Sequence, residues 1–265
     1  MPNMRPGFGY DKICELCKLI GEYENKYQQN DISKAAVSVL LEYRRVHEEI
    51  DYSLSEEILD KIHEVEKKHP GVTAINQKCV TRDEFFSNAN SSFDKFSYSR
   101  HCVRNFIPNA EVSIGDIIEA IEIAKNAPSA CNRQPSRVHI ISGHEKIMSC
   151  LEMQNGSRGF KELADKLLII TGDLGTVLGA QEFFDLNTNV GIFIMNLCYA
   201  LHFKKIGCCI LNWYAMPKDD LKLRKIADIP DSENIVAFII CGQVPDKFKL
   251  AESPRIETSK IYKIH

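Results

Sequence analysis

This sequence has no excess of either charge. Lys and Arg number 33 against 36 Asp and Glu, a net charge of −3. The concentrated basic surface that displaces counterions from nucleic-acid phosphates is missing, so no DNA or RNA partner is expected. No apolar run approaches the roughly 20 residues that span a bilayer, and the first residues lack the basic, apolar and small-residue regions of a secretory leader. A cytoplasmic protein without a membrane partner is expected. No Gly-x-Gly-x-x-Gly follows a predicted strand, so a dinucleotide fold of that type is not indicated. Zinc-finger spacing is also absent. Cys14 and Cys17 fall inside a helical pattern, Cys208 and Cys209 are adjacent, and no second Cys/His pair stands at a ligand's spacing, so no metal is expected. The ten cysteines are dilute in a chain of this length and lie mostly at apolar positions, where they read as reduced, buried small hydrophobes.

What is present suffices for an ordinary core, with 44% hydrophobic residues in 265. From Tyr10 to about His69 apolar residues recur at three and four, as in Ile13, Leu16, Cys17, Ile20 and then Ala36, Val39, Leu40, Tyr43, which predicts helices. Ser53 with Glu56 has capping-box spacing and predicts the start of a third helix, ended by Pro70-Gly71. Asn88 to Ser92 is small and polar and reads as a connection, which divides a helical segment 1–90 from a domain 91–265.

After Phe96 helices and strands alternate, favouring α/β or α+β. Ser113 is placed to cap a helix with the face Ile114, Ile117, Ile118, Ile121 and Ala124. Apolar runs at 138–142, 167–171, 208–211 and 235–241 predict internal strands buried on both faces. A long helix, about 188–204, lies between the second and third, with Val190, Phe193, Ile194, Leu197 and Leu201 on one side.

Two clusters carry chemistry. Arg100-His101-Cys102-Val103-Arg104 puts two arginines and a histidine within five residues of an otherwise neutral domain. Guanidinium groups bind phosphate bidentately, so this is a candidate anion site, the alternative being a solvated charge run. Ala127-Pro128-Ser129-Ala130-Cys131-Asn132-Arg133-Gln134-Pro135 leads from the Ile-rich helix into a strand. Its prolines fix the backbone, its small residues admit a flat ring to the main chain, and its amides donate and accept together. Taken alone, such a run is an ordinary turn.

The two clusters, about 25 residues apart with an amphipathic helix between them, resemble the opening of the nitroreductase superfamily. The resemblance covers about residues 96–256 and continues through Asp185, Gly191, Asn196, Ile206-Gly207 and Arg255. Leu211-Asn212-Trp213 and the stretch Met4 to Gly9 are similar to a branch with a helical N-terminal region. The resemblance implies an α+β fold, a mixed or antiparallel central sheet flanked by helices, in a homodimer with the flavin site shared between protomers. It implies FMN as cofactor and NAD(P)H as co-substrate. Arg100, His101 and Arg255 would hold the phosphate and ribityl chain, and Arg104 the pyrimidine edge. Pro128, Ser129, Ala130, Asn132 and Gln134 would approach from the other protomer. Leu211, Asn212 and Trp213 would lie near the isoalloxazine, with Arg158 a further contact; Trp213 can equally be a core residue and His101 a solvated one. Cys102 stands where the family has Ser, Ser136 where an aromatic is common, and Asp185 to Gly191 where a tighter turn is usual. The expected activity is hydride transfer from NAD(P)H through flavin N5 to a small organic acceptor, nitroaromatic or quinone-like, with no protein nucleophile. The alternatives are a specialised flavin dehydrogenase in polysaccharide or cell-surface metabolism, or a non-catalytic FMN-binding dimeric partner.

Overall fold

The computed structural model describes residues 5–74 and 77–265. The chain forms two compact units, Cys79–Leu250 and Met4–Lys78 with Ala251–His265.

The N-terminal helical pattern gives α1 (Tyr10–Tyr27), α2 (Asp31–Glu49) and α3 (Glu56–Lys67). They close a small core on Ile13, Ile20, Val37, Leu40, Leu41, Ile58 and Ile62, the residues that the three-and-four spacing puts on one side of each helix. The cap of α3 differs from expectation. It is Ser55, not Ser53, and it makes no side-chain cap bond. Of the stretch Met4 to Gly9, Met4 lies outside the described residues. Gly7 adopts φ +71°, where a Cβ would come within 2.8 Å of the Tyr52 hydroxyl oxygen, and its N–H donates to Nε2 of the buried His47 at 3.0 Å.

The other unit begins within β1 (Gln77–Thr81), which pairs with β6 (Lys247–Ala251) in a two-stranded sheet. Then follow α4 (Arg82–Phe86), α5 (Phe93–Ser99), α6 (Ile114–Ala124), β2 (Ser136–Ser142), α7 (His144–Leu151), β3 (Lys166–Asp173), α8 (Phe183–Phe203), β4 (Gly207–Asn212), α9 (Pro217–Ala227) and β5 (Glu233–Gly242). Phe85, Phe86 and Ala89 are buried in this unit's core, so its packing begins before residue 91. Asn88 to Ser91 is a hydrogen-bonded turn inside it, not a connection to it.

The central sheet is antiparallel throughout, in the order β2-β3-β5-β4. Alternation along β3 sends Leu167 and Ile169 to one face with Phe106, Phe160 and Phe238, and Leu168 and Ile170 to the other with α6 and α8. The central strands β3 and β5 are buried as expected. β2 is not: it is an edge strand, and only Ile141 along it is fully buried. Helix α6 is capped by Ser113, whose Oγ accepts from the Gly115 N–H at 3.1 Å. Its buried residues are Ile117, Ala120 and Ala124, while Ile114 and Ile118 face outward. Helix α8 starts five residues earlier than the pattern predicts, so Asp185 to Gly191 are helical and form no turn. All ten cysteines are free. Five are buried, but Cys79 and Cys131 are exposed, against the reading of cysteine as core. Among the described residues no helix is long and apolar enough to cross a membrane.

Candidate functional site

Arg100 caps the C-terminus of α5, and the chain then runs beside the edge strand β4, held by the Val103 N–H donating to the Cys208 carbonyl at 2.8 Å. Phe106 anchors this run. It is buried against Gly242 and Gly207, where a Cβ on Gly242 would lie 2.6 Å from the Phe106 ring. Ser99 organises the cluster. Its hydroxyl donates to the Phe96 carbonyl (2.8 Å), so its oxygen accepts from Nε2–H of His202 (2.9 Å), and its own carbonyl accepts from Nδ1–H of His101 (3.1 Å). His202 is pushed down to about 4 by burial, then by Arg100 and His101 nearby, and stays neutral.

With His202 uncharged, the positive charge rests on the arginines. Arg100 Nη1 is 3.9 Å from Cys102 Sγ, while its Nε is buried with no hydrogen-bond partner. A desolvated, unpaired guanidinium N–H costs about 1–3 kcal/mol, so this atom fits an incoming anion. The Arg104 guanidinium lies 5.9 Å over the Phe160 ring. Neither arginine makes an ion pair among the described residues. Cys102 is drawn down to about 5 by the hydrogen bond with Cys209 first, then by the Ile210 main chain and Arg100, against burial; the same contact, with burial, drives Cys209 upward.

The Pro128–Pro135 loop takes three non-glycine residues into the left-handed region, Cys131 at φ 51°, Asn132 at 54° and Gln134 at 48°. Such backbone persists only where its surroundings fix it. Here the Gln134 N–H donates to Ser129 Oγ (2.9 Å), and Gln134 Nε2 donates to Asn132 Oδ1 (3.1 Å). The Ala130 N–H donates to Oδ1 of the buried Asn189 on α8 (3.0 Å). Pro128, Ala130, Asn132 and Gln134 are left exposed and Ser129 half-buried. Pro128, Ser129 and Gln134 border a cleft of about 150 Å³ that also includes Lys125, Arg137 and Phe193.

The end of β4 brings in the remaining residues. Leu211 is buried and Asn212 exposed. Buried Gln154 donates through Nε2 to the Asn212 carbonyl at 3.1 Å and accepts the Gly156 N–H at 2.7 Å. It thereby ties to β4 the turn that carries exposed Arg158 and leads to Phe160 beneath Arg104. Trp213 stacks on Phe238 (4.9 Å, 23°) and donates its indole N–H to Asp220 at 3.1 Å, which makes it a packed, satisfied side chain. Arg255 belongs to the other compact unit, is exposed, and donates to the nearby Ser253 carbonyl.

Arg100, His101, Cys102, Arg104, Leu211, Asn212 and the Arg158 turn thus gather along β4, whereas the Pro128–Gln134 loop leads into β2 at the opposite edge. Three strand spacings, roughly 14 Å, separate the two edges. Ser99, Gln154, Phe160, Asn189 and His202 were not singled out by the sequence. Only helical phase pointed to any of them, since His202 follows Leu201 on the buried side of α8.

A family model described as "Nitroreductase family" matches residues 98–171. No curated protein matches the chain. Among solved structures, a nitroreductase family protein from Streptococcus pneumoniae superposes with TM-score 0.56 at 24% identity, covering 66% of this chain and 100% of that one. A Desulfovibrio desulfuricans protein solved in complex with FMN gives 0.56 at 16% identity, over 66% and 98%. A gut-bacterial enone reductase of fatty acid saturation metabolism gives 0.56 at 16%, over 66% and 99%. Residues 98–171, which include the arginine cluster and the Pro128–Pro135 loop, thus match the nitroreductase family model, and about two thirds of the chain shares the fold of these solved structures.

Proposed function

We propose that this protein is an FMN-dependent oxidoreductase that carries a hydride from NAD(P)H to a small organic acceptor, nitroaromatic or quinone-like, as a homodimer with the flavin site shared between protomers. The observation that carries the proposal is Arg100: a guanidinium with a buried, unpartnered Nε, beside a histidine and a second arginine that lack carboxylate partners among the described residues. A dianionic phosphate satisfies that donor set in the bidentate geometry that guanidinium favours. When bound, FMN supplies N5 as the hydride relay and gathers negative charge at its N1–C2 edge.

On this reading the flavin domain is the part 91–265, in which all the candidate residues except Arg255 lie in the compact unit that ends at Leu250. Arg100 and His101 hold the phosphate. Arg104 places positive charge at the pyrimidine edge, favouring the reduced state. Leu211, Asn212, Trp213 and Arg158 bound the ring's surroundings from the β4 side. Ser129, Asn132 and Gln134, with Pro128 and Ala130, cover the flavin of the other protomer. This division is supported by the two clusters lying on opposite edges of one sheet. The dimer is supported by apolar side chains turned outward on neighbouring helices, Ile114, Ile118 and Ile123 on α6 and Phe184 and Ile192 on α8.

Complementation tests the shared site. Co-expressed, differently tagged chains are purified as a heterodimer, one carrying Arg100→Ala with Arg104→Ala and the other Asn132→Ala with Gln134→Ala. The reading predicts one intact FMN site per heterodimer and none in either homodimer. Equal FMN content in all three, or a monomer at micromolar concentration that binds FMN fully, would refute it.

A further inference from the structure

The ten cysteines are not equivalent, and one pair stands apart. Cys102 and Cys209 lie side by side: the Val103–Cys208 main-chain bond lays residues 101–104 against β4, and Cys102 packs against the core cluster that holds Cys209. Cys102 is partly exposed and lies 3.9 Å from an Arg100 guanidinium nitrogen; Cys209 is fully buried behind it. Cys198 and Cys208 share the core cluster on the other face of the sheet, and both are buried. Among the described residues of the unit 79–250, Cys102 and Cys209 thus form the pair with an accessible thiol and a cation beside it, and Cys198 and Cys208 are sealed.

We infer that Cys102 and Cys209 form a redox-active dithiol, in which Cys102 is oxidised by a hydroperoxide and Cys209 resolves it as an intrachain disulfide. The Cys102 thiolate attacks the terminal peroxide oxygen, the O–O bond breaks, and protonation releases water or an alcohol, leaving a sulfenic acid. Cys209 sulfur then attacks the Cys102 sulfur. The S–O bond breaks, the Cys209 proton and the hydroxide leave as water, and the peroxide has been reduced by two electrons.

The surroundings suit each role. Arg100 favours the anionic sulfur of Cys102, as cations beside reactive cysteines do. Cys209 is held protonated first by its contact with Cys102 and by burial. Conversion of Cys102 to the neutral sulfenic acid removes the neighbouring negative charge that opposed Cys209 ionisation, so the resolving thiol is activated only after the first step. The consequence for flavin rests on the proposed function: a disulfide ends the Arg100–thiolate attraction beside the proposed phosphate site. The dithiol chemistry itself does not depend on that reading.

The test uses the full-length purified protein, reduced, freed of reductant and exposed to stoichiometric hydrogen peroxide with and without added FMN. Free thiols are then blocked and non-reduced tryptic peptides mapped by mass spectrometry. The inference predicts a crosslink between the peptide carrying Cys102 and the peptide 206–218, which holds both Cys208 and Cys209. The crosslink persists in Cys208→Ala and is lost in Cys209→Ala and in Cys102→Ser, while Cys198 stays reduced. In Cys209→Ala, Cys102 still oxidises and accumulates as a dimedone-reactive sulfenic acid, a readout that distinguishes a missing resolving thiol from a misfolded chain. Cys102 that stays reduced, or over-oxidises to sulfinic acid without the crosslink in folded wild type, would overturn the inference. FMN affinity, measured on the same samples, reports separately on the phosphate site.

Discussion

Replacing Arg100 by alanine separates binding from stability. In the free protein the Arg100 Nε is already desolvated without a partner, and an unsatisfied buried donor costs about 1–3 kcal/mol. Truncation removes that cost along with some packing of the side-chain stem, so the variant without flavin is expected to be about as stable as wild type, within roughly 1 kcal/mol. Affinity should move the other way. A hydrogen bond to a charged group contributes about 1.5–3 kcal/mol, so its loss weakens FMN binding by roughly 10- to 150-fold. Urea denaturation of the flavin-free protein gives the first quantity, and titration of FMN fluorescence quenching gives the second. An unchanged Kd for FMN would refute the phosphate role; a large loss of stability with unchanged Kd would make Arg100 a structural residue instead.

Three further outcomes follow from the same geometry. His202 has a folded pKa lowered to about 4 by burial, below its usual value of 6.5, so the stability it contributes is fully present above pH 6.5 and is lost as pH falls through 4. The shift corresponds to roughly 3 kcal/mol, and His202→Gln should flatten the fall in urea-unfolding free energy between pH 7 and pH 4; an unchanged profile would contradict the assignment. Gly242→Ala places a Cβ 2.6 Å from the Phe106 ring and is expected to destabilise by about 1–3 kcal/mol, visible as a lower Tm, whereas an unchanged Tm would show that Phe106 repacks freely. Cys102→Ser replaces an anionic sulfur beside Arg100 with a neutral hydroxyl, so FMN should bind as tightly as in wild type or more tightly; weaker binding in the same titration would count against the thiolate.

Much of this architecture was legible because the core is apolar and periodic. The spacing of Ile13 and Ile20, and of Val190, Leu197 and Leu201, places helices correctly, and the runs at 167–171 and 235–241 are strands because both their faces are buried. Sequence pattern fails where edges and long-range bonds decide. The run at 138–142 is apolar enough for an internal strand, yet it pairs on one side only. Asp185 to Gly191 contains four residues that favour turns, Asp185, Asn187, Asn189 and Gly191, but packing of Leu186 and Val190 against the sheet carries the helix through them. Capping-box spacing points to Ser53, whereas the helix begins after Ser55.

The site shows the same division. Arg100, Arg104 and the Pro128–Pro135 run stood out by residue type and spacing. What arranges them lies far away in sequence: His202 supports Ser99, Asn189 holds the loop, Gln154 ties its turn to the end of β4, and Cys209 meets Cys102. These contacts arise from strand pairing and helix packing, so no local motif announces them.

The most direct test of the account is the visible spectrum of the purified, FMN-loaded protein during anaerobic addition of NADH or NADPH. The account predicts that the flavin bands bleach on addition of one or both and return when a quinone or nitroaromatic acceptor is added, with the bands weak or absent in Arg100→Ala at the same FMN concentration. A protein that takes up no FMN, or holds it without bleaching under either nucleotide, would contradict the assignment as an NAD(P)H-linked flavin oxidoreductase.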